Sequence, residues 1–308
     1  MSNSIRIRMA GYGPPTTGFS KSLKFIGDRL QAQFGRDVAV EYIFNIMDHG
    51  HKAEDILTLV EKGEITLGYQ SSSYLTDRVP ELGFVDLPFL FSSNAQARGA
   101  MDGALGEFLA RKTEERINYR ILGWFENGFR HISNRLRPIH VPADVNGMKI
   151  RVLPSEIHRR TFELLGAIAM RMDLTEAIAM IKAGTLDAQE NPLANTVTYG
   201  VHKFHKFHTL TYHFYISRPI FLHRTSFDSW PEELRRAMRA AVAEAVGYQR
   251  KLAVEEDASS RNVIEAEGCE INALTPKEHE AFVAAVKPLL QDARTTYGEA
   301  MFKMVPKA

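Results

Sequence analysis

The chain has 308 residues, 44% of them hydrophobic and 24% charged, near the averages for an ordinary globular protein and enough for two packed lobes or one large single domain. Its 38 basic residues are balanced by 37 acidic ones for a net charge of +1, which argues against nucleic acid as a partner. A single cysteine, Cys269, excludes a disulfide within the chain, and no apolar run approaches the ~18 residues of a membrane span.

The chain enters a strand pattern almost at once, Ile5, Ile7 and Met9 alternating with Arg6 and Arg8, with no apolar leader ahead of it. At this stage the protein is either cytoplasmic or lacks its signal peptide. Gly11-Tyr12-Gly13-Pro14-Pro15 breaks the strand, and Phe19, Leu23, Ile26 and Leu30 predict a helix stopped at Gly35. A second strand is predicted over 38–43. A helix from about Asp48 carries Ile56, Leu57 and Val60 to Gly63, and Ile65, Leu67 and Tyr69 form a third strand ending in Gln70-Ser71-Ser72-Ser73. This alternation predicts a wound, mostly parallel sheet.

A second unit follows with strands over 118–125 and 148–152. Asp173 and Glu176 are spaced as a capping box for a helix reaching Gly184, and Leu186-Asp187-Ala188 reads as a short strand. Residues 214–222 form a long extended apolar stretch. Ser229, Pro231 and Glu232 predict the start of a long helix through Leu234, Met238, Ala245 and Leu252 towards Gly268, and Thr275 to Glu278 opens a last one. There is no flexible linker, so the two lobes are expected to be discontinuous in sequence.

Enzyme signatures are absent. Gly11-x-Gly13 is followed by two prolines, which lack the N–H groups of a phosphate cradle, and no nucleophile elbow or Cys–His arrangement is present. Of eleven histidines, His202, His205 and His208 recur every third residue, interleaved with Lys and Phe, which reads as a partly exposed helical face rather than a metal site. His49-x-His51 beside Asp48 and Asp55 reads as a capped helix start. The expectation is no catalytic residue, cofactor or metal; the rival is a hydrolase or lyase using the histidines.

Arginines at strand ends are more informative. Met148, Ile150 and Val152 share one face of a strand, Lys149 and Arg151 the other, and Pro154 places Arg151 near the carboxyl end, where open α/β sheets bind ligands. Its planar fork suits a carboxylate, which on chemistry alone is equally a solute or an internal Asp or Glu. Arg130 follows Trp124 and Phe125 in a loop-like segment, and Glu190-Asn191-Pro192 reads as a plain turn carrying a charge and an amide.

Taken in order, several segments resemble the solute-binding proteins of tripartite ATP-independent periplasmic (TRAP) transporters. They are Val79-Pro80-Glu81 with Asp86-Leu87-Pro88-Phe89-Leu90-Phe91; Gly128-Phe129-Arg130 with Ser133-Asn134 and Arg137-Pro138-Ile139; and Pro142-Ala143-Asp144-Val145-Asn146-Gly147-Met148-Lys149-Ile150-Arg151-Val152. Gly166-Ala167, Met172, Glu176 and the run from Gly184-Thr185-Leu186 to Glu190-Asn191-Pro192 complete the set, which extends over nearly the whole chain. The resemblance implies a two-lobed α/β fold, each lobe a mostly parallel sheet flanked by helices, with a long helix spanning both. Lobe I would comprise 1–127 and 215–257, lobe II 128–214 and 258–308, with hinge strands near 126–128 and 213–216. Arg151 would pair with the ligand carboxylate, Arg130 support it and Asn191 donate an amide hydrogen bond. Gln70, Ser71, Tyr12, Phe19, His49, Phe125, Met172 and Leu174 complete the expected ligand-lining set. The partners implied are a small organic carboxylate and a membrane permease, and the protein would be a periplasmic monomer. Three departures bear on ligand identity: His49 and His51 near the second helix, Leu174 where relatives carry a ring, and Ala188 in place of glycine. They argue against the family's default four-carbon dicarboxylate, and the aromatic candidates Tyr12, Phe19, Trp124 and Phe125, with Leu174 in place of a ring, tilt the expected ligand towards an aromatic or hydroxy/oxo monocarboxylate, with a C4-dicarboxylate or sugar acid as the alternative.

Overall fold

A computed structural model describes residues 4–307. The elements in chain order are β1 (Ile5–Ala10), α1 (Gly18–Phe34), β2 (Val38–Ile43), α2 (Asp55–Glu61), β3 (Leu67–Tyr69), α3 (Asn94–Asp102), α4 (Ala104–Arg116) and β4 (Tyr119–Asn134). Then come β5 (Lys149–Val152), α5 (Glu156–Leu164), β6 (Ile168–Arg171), α6 (Leu174–Lys182), β7 (Ala188–Asn191), α7 (Leu193–Thr198) and β8 (Phe207–His223). The chain ends with α8 (Arg224–Ser229), α9 (Glu232–Ala266), β9 (Glu270–Ala273), α10 (Pro276–Ala285) and α11 (Lys287–Phe302).

The described strands form one mixed sheet in the order β2-β1-β3-β8-β4-β7-β5-β6, with β9 also paired to β8. Parallel pairs lie at both ends, β1 with β2 and β3, and β5 with β6 and β7. Between them run the two long antiparallel strands β4 and β8. The strand predicted over 118–125 therefore continues to Asn134, and the extended stretch at 214–222 begins at Phe207, because each completes the other's hydrogen bonds.

The β4–β8 register shifts between Glu126 and Gly128, leaving Asn127 as an extra residue on β4. Gly128 occupies this bulge at φ 87°, a conformation that favours glycine. On either side of it the core divides. One apolar cluster gathers Ile7, Leu23, Leu67, Phe125, Phe221 and Met238; another gathers Ile132, Ile150, Val152, Phe162, Phe214 and Phe282. The long helix α9 serves both ends, with Leu234 and Val242 in the first core and Ile264 packed with Leu193 and Leu210. Gln249, midway along α9, exchanges 2.9 Å hydrogen bonds with the backbone of Glu126, fastening the helix beside the bulge.

Several local expectations change. A 3-10 turn at Ile46–His49 replaces the start of the helix expected from Asp48, and α2 begins only at Asp55. The short strand expected at Leu186-Asp187-Ala188 lies later, at Ala188–Asn191, because its partners on β4 are Asn134 to His131. The capping box expected of Ser229 and Glu232 does not form. Ser229 ends α8, with its hydroxyl on the Ser226 carbonyl at 2.7 Å, and Pro231 occupies the cap of α9. Thr275 and Glu278 do form a reciprocal box.

The histidine trio is buried rather than on an exposed helical face. His202 lies in a 3-10 turn, His205 in the connection that follows it and His208 at the start of β8. His205 meets the Ser133 hydroxyl at 3.0 Å and His208 the His205 carbonyl at 3.0 Å, so they serve as core hydrogen-bonding groups. Among the described residues no group of three or more His, Cys, Asp or Glu is arranged to hold a metal ion.

Burial pushes His131 and His205 down to about 3 and His208 to about 4, from 6.5. Their folded state therefore takes up protons later than the unfolded state. Their stabilisation is complete above pH 6.5 and is lost as pH falls from there towards 4. His158 opposes this: burial lowers it, but Asp86 and Glu190 more than offset that and raise it. The expected result is an unfolding free energy that falls between pH 7 and pH 5, by up to ~1.4 kcal/mol per pH unit for each neutral histidine. His205→Gln should flatten that slope in urea titrations; a slope unchanged by the substitution would contradict this account.

Candidate functional site

The carboxyl ends of β3, β5 and β7 and the middle of the β4–β8 ribbon converge on one space. Arg151 sits on β5 with Ile150 and Val152 turned into the second core, so the strand alternation sends its side chain to the other face. It is 1% exposed. Its Nε and Nη2 both donate to the Met172 carbonyl at 3.2 Å, and Nη2 donates to the Tyr74 hydroxyl at 3.1 Å. Among the described residues no carboxylate pairs with it, and its Nη1 has no hydrogen-bond partner.

Arg130 is arranged differently. Its Nε and Nη2 form a fork with the Glu190 carboxylate, Nη2 to Oε1 at 2.9 Å, and both residues are fully buried. His158 and His213 approach the same carboxylate at 3.8 and 3.5 Å. Burial alone would raise Glu190, but the Arg130 charge and these neighbours outweigh it and hold the carboxyl well below its usual range. Arg130 is thus neutralised within the protein, with only Nη1 uncommitted among the described residues.

Asn191, at the end of β7, donates to Gln189 Oε1 at 2.9 Å and accepts from Asn195 Nδ2 at 3.2 Å. Asn195 also donates to Asn127 Oδ1 at 3.1 Å, so the bulge has turned a β4 side chain into the space. These residues, with Gln70, Ser71, Tyr12, Leu174, Tyr199 and Arg218, line a small chamber of about 20 Å³. Asn127, Asn195, Tyr199 and Arg218 continue into a larger chamber of about 180 Å³ beside α9. Contacts between the two sides close the cleft: Ala53 N to Thr175 Oγ1 at 3.0 Å, Glu54 N to Asp173 Oδ2 at 3.1 Å, and Arg171 to Asp77 at 2.9 Å.

The sequence profile of bacterial extracellular solute-binding protein family 7, DctP, matches residues 42–296. The chain belongs to this family. Among its relatives is the 2,3-diketo-L-gulonate-binding periplasmic protein of Escherichia coli, 29% identical over 78% of this chain and 72% of that protein. The C4-dicarboxylate-binding periplasmic protein DctP of Rhodobacter capsulatus is 25% identical over 75% of this chain and 69% of its own length. A TRAP periplasmic solute-binding protein from Polaromonas, solved with D-erythronate, superposes with a TM-score of 0.92 at 25% identity over 99% of this chain and 100% of that one. One from Sulfurospirillum deleyianum, solved with succinate, gives 0.91 at 26% identity over 98% of each chain. The TRAP resemblance, the two-lobed α/β fold and the extracytoplasmic setting are therefore properties of the family to which this chain belongs.

In this DctP-family protein, the small chamber gathers Tyr12, Gln70, Ser71, Arg130, Arg151, Leu174 and Asn191 from widely separated parts of the sequence. Phe19 lines the larger chamber, while Phe125 packs behind it, 5.9 Å from the Phe19 ring. Met172 contributes its carbonyl to Arg151. His49, expected near the ligand, is exposed on the 3-10 turn and lines neither chamber, because the helix expected there starts later. Trp124 faces a separate groove between α4 and α9.

Six lining groups of the small chamber escaped the sequence reading: Tyr74, Asn127, Leu153, Asn195, Tyr199 and Arg218. Only Arg218 had a legible signal, a charged residue in the middle of the apolar 214–222 stretch, where the reasoning applied to Arg151 holds equally. Tyr74 is the acceptor for both Arg151 Nη2 and Leu174 N, each at 3.1 Å. Burial raises its hydroxyl above the ordinary phenol value, keeping it neutral.

The two arginines differ in what their loss leaves behind. Arg130→Ala strands Glu190 as an unpaired buried charge and is expected to cost about 3–5 kcal/mol of unfolding free energy. Arg151→Ala removes a charge that has no protein counter-ion and is expected to stay within about 1 kcal/mol of the parent. Equal losses for the two variants in denaturant titrations would contradict the difference in pairing.

Proposed function

We propose that this chain is the extracytoplasmic receptor of a TRAP transporter, capturing a small organic carboxylate in the cleft and passing it unaltered to the membrane permease. The observation that carries the reading is Arg151: a buried guanidinium lining a small chamber, with neutral protein partners only. A solute carboxylate accepting from Arg151 Nη1 and Arg130 Nη1, with the free amide hydrogen of Asn191, would supply the missing charge. Water exclusion would strengthen that pairing.

The bulge at Asn127 and Gly128, where the core divides, supports a hinge near 126–128 and 213–216. Residues 1–127 and 215–257 would then move against 128–214 and 258–308, with α9 spanning them and α11 strapping back through Ala293 and Met301. The working unit would be a periplasmic monomer. The aromatic rings do not favour an aromatic solute, since Tyr12 and Phe19 both pack on Tyr69 and all three rings face Arg218. The polar lining of amides and hydroxyls favours a compact aliphatic acid carrying hydroxyl, oxo or further acidic groups.

The reading is tested by thermal shift and calorimetry with succinate, D-erythronate and pantoate, each with and without a chelator. At least one acid should bind at micromolar strength or tighter, regardless of chelator and without turnover. Arg151→Ala should abolish that binding, and Arg151→Lys should weaken it because an ammonium lacks the planar fork. Affinity retained within threefold, ~0.6 kcal/mol, in Arg151→Ala would sink the proposed anchor. Solution scattering should show a smaller radius with the bound acid than without it.

A further inference from the structure

Tyr74 joins the two sides of the cleft at the solute anchor itself. It lies on the 3-10 turn Ser72–Leu75 that follows β3, yet its ring packs against the second apolar core, that of Ile150 and Val152. Every partner of its hydroxyl also belongs to the β5 side. The oxygen accepts from Arg151 Nη2 and from the Leu174 backbone, each at 3.1 Å, and the hydroxyl donates to Asp173 Oδ2 at 3.4 Å. A hydroxyl offers one proton and two lone pairs, so these three partners use its whole capacity and leave none for a solute.

Arg151 has one other partner, the Met172 carbonyl, which accepts from both Nε and Nη2 at 3.2 Å. Met172 directly follows β6, the strand paired with β5, so it travels with Arg151. A single carbonyl oxygen seated in the fork leaves the guanidinium plane free to swing about it. The Tyr74 oxygen on Nη2 is a second fixed point, and two points set the direction of a rigid planar group. Nη1, without a partner among the described residues, is thereby aimed. Among the described residues, Tyr74 makes the only hydrogen bond that reaches Arg151 from across the cleft.

The same end of α6 carries other contacts that close the cleft. Asp173 caps the helix by accepting from Thr175 N at 2.8 Å, and it also accepts from Glu54 N at 3.1 Å. Thr175 Oγ1 accepts from Ala53 N at 3.0 Å, and Gln70 holds Ala53 by donating to its carbonyl at 2.8 Å. The start of α6 thus receives Ala53, Glu54 and Tyr74 together, and separating the two sides breaks these bonds at once.

We infer that Tyr74 is a positioning residue that makes the aim of Arg151 conditional on closure. With the cleft open, the phenol is withdrawn and the guanidinium pivots on Met172. With the cleft closed, Nη1 is fixed and the solute is retained. The inference rests on the receptor reading and the hinge proposed above, and not on which acid is bound. A contact made only after the two sides meet acts on escape of the solute rather than on its capture.

The test uses Tyr74→Phe, which removes only the hydroxyl, with whichever of succinate, D-erythronate and pantoate the native protein binds. In stopped-flow measurements the dissociation rate should rise about tenfold, the loss expected of one hydrogen bond to a charged group, with the association rate within about twofold of the parent's. The solute-free thermal midpoint should stay within about 2 °C of the parent's, because the lost bonds belong to the closed state. A second readout is a double-mutant cycle by calorimetry. An ammonium has no plane to aim, so adding Tyr74→Phe to Arg151→Lys should weaken binding by less than about twofold. Equal losses with and without Arg151→Lys would overturn the inference, as would an affinity unchanged in Tyr74→Phe or a loss carried by the association rate. A lowered solute-free midpoint with an unchanged dissociation rate would also overturn it, leaving Tyr74 a packing residue. The kinetic split decides alone if Arg151→Lys binds too weakly for the cycle. Each of these results leaves the receptor reading standing; that reading falls, and the inference with it, if the native protein binds none of the acids.

Discussion

The antiparallel pairing of β4 with β8 is the constraint on which the rest of this protein depends. Two strands of 16 and 17 residues run through both halves of the sheet, so neither half closes its hydrogen bonds without the other. β3 completes the ribbon on one side through Tyr69 and Ile220, and β7 on the other through Asn191 and His131. Both outer parallel sheets thus end on the same ribbon, which brings the carboxyl ends of β3, β5 and β7 to one cleft. The irregularity at Asn127 and Gly128 falls where the two apolar cores part. A break in a continuous ladder is where bending costs least, and the same break turns Asn127 into the space between the halves.

Electrostatics then divides three buried arginines into different tasks. Arg130 is consumed by Glu190, with His158 and His213 crowded behind the carboxylate. This cluster is a rigid wall of the cleft: breaking it leaves a bare charge in the interior. Arg151 is held by a carbonyl and a phenol, which orient the guanidinium without cancelling it. Arg218 is held by aromatic faces, in a chamber that Glu256 and Asp257 also line. Neutral partners that fix direction and leave charge unmet, as at Arg151, suit the receptor role proposed above, in which the counter-ion arrives from outside.

Much of this was legible because local chemistry and tertiary context agreed. The alternation of Ile5, Ile7 and Met9, the glycine stop at Gly63 and the box at Thr275 all rest on interactions within a few residues, and each appears in the structure. The order of motifs around Gly147 to Val152 pointed to the family before any coordinate. Misreadings arose where a distant partner decided. His202, His205 and His208 carry the spacing of a helical face, but a strand and its neighbours bury them. Ser229 has the spacing of a cap for α9, yet a preceding short helix uses its hydroxyl.

The sequence by itself determined the fold class and the family, because periodicity and motif order are properties of adjacent residues. It also singled out Arg151 as a charge that its own strand could not satisfy. It left open whether that charge meets a protein carboxylate, since Glu190 was as available to Arg151 as to Arg130. Tertiary structure decided this by register: the β4–β7 pairing sets Ile132 opposite Glu190, and Arg130 beside it takes the carboxylate. It likewise decided that Arg218, lost among apolar neighbours in the chain, faces the same cleft as Arg151. Which charges remain unpaired is a sum over residues far apart in sequence, and only the folded chain performs that sum.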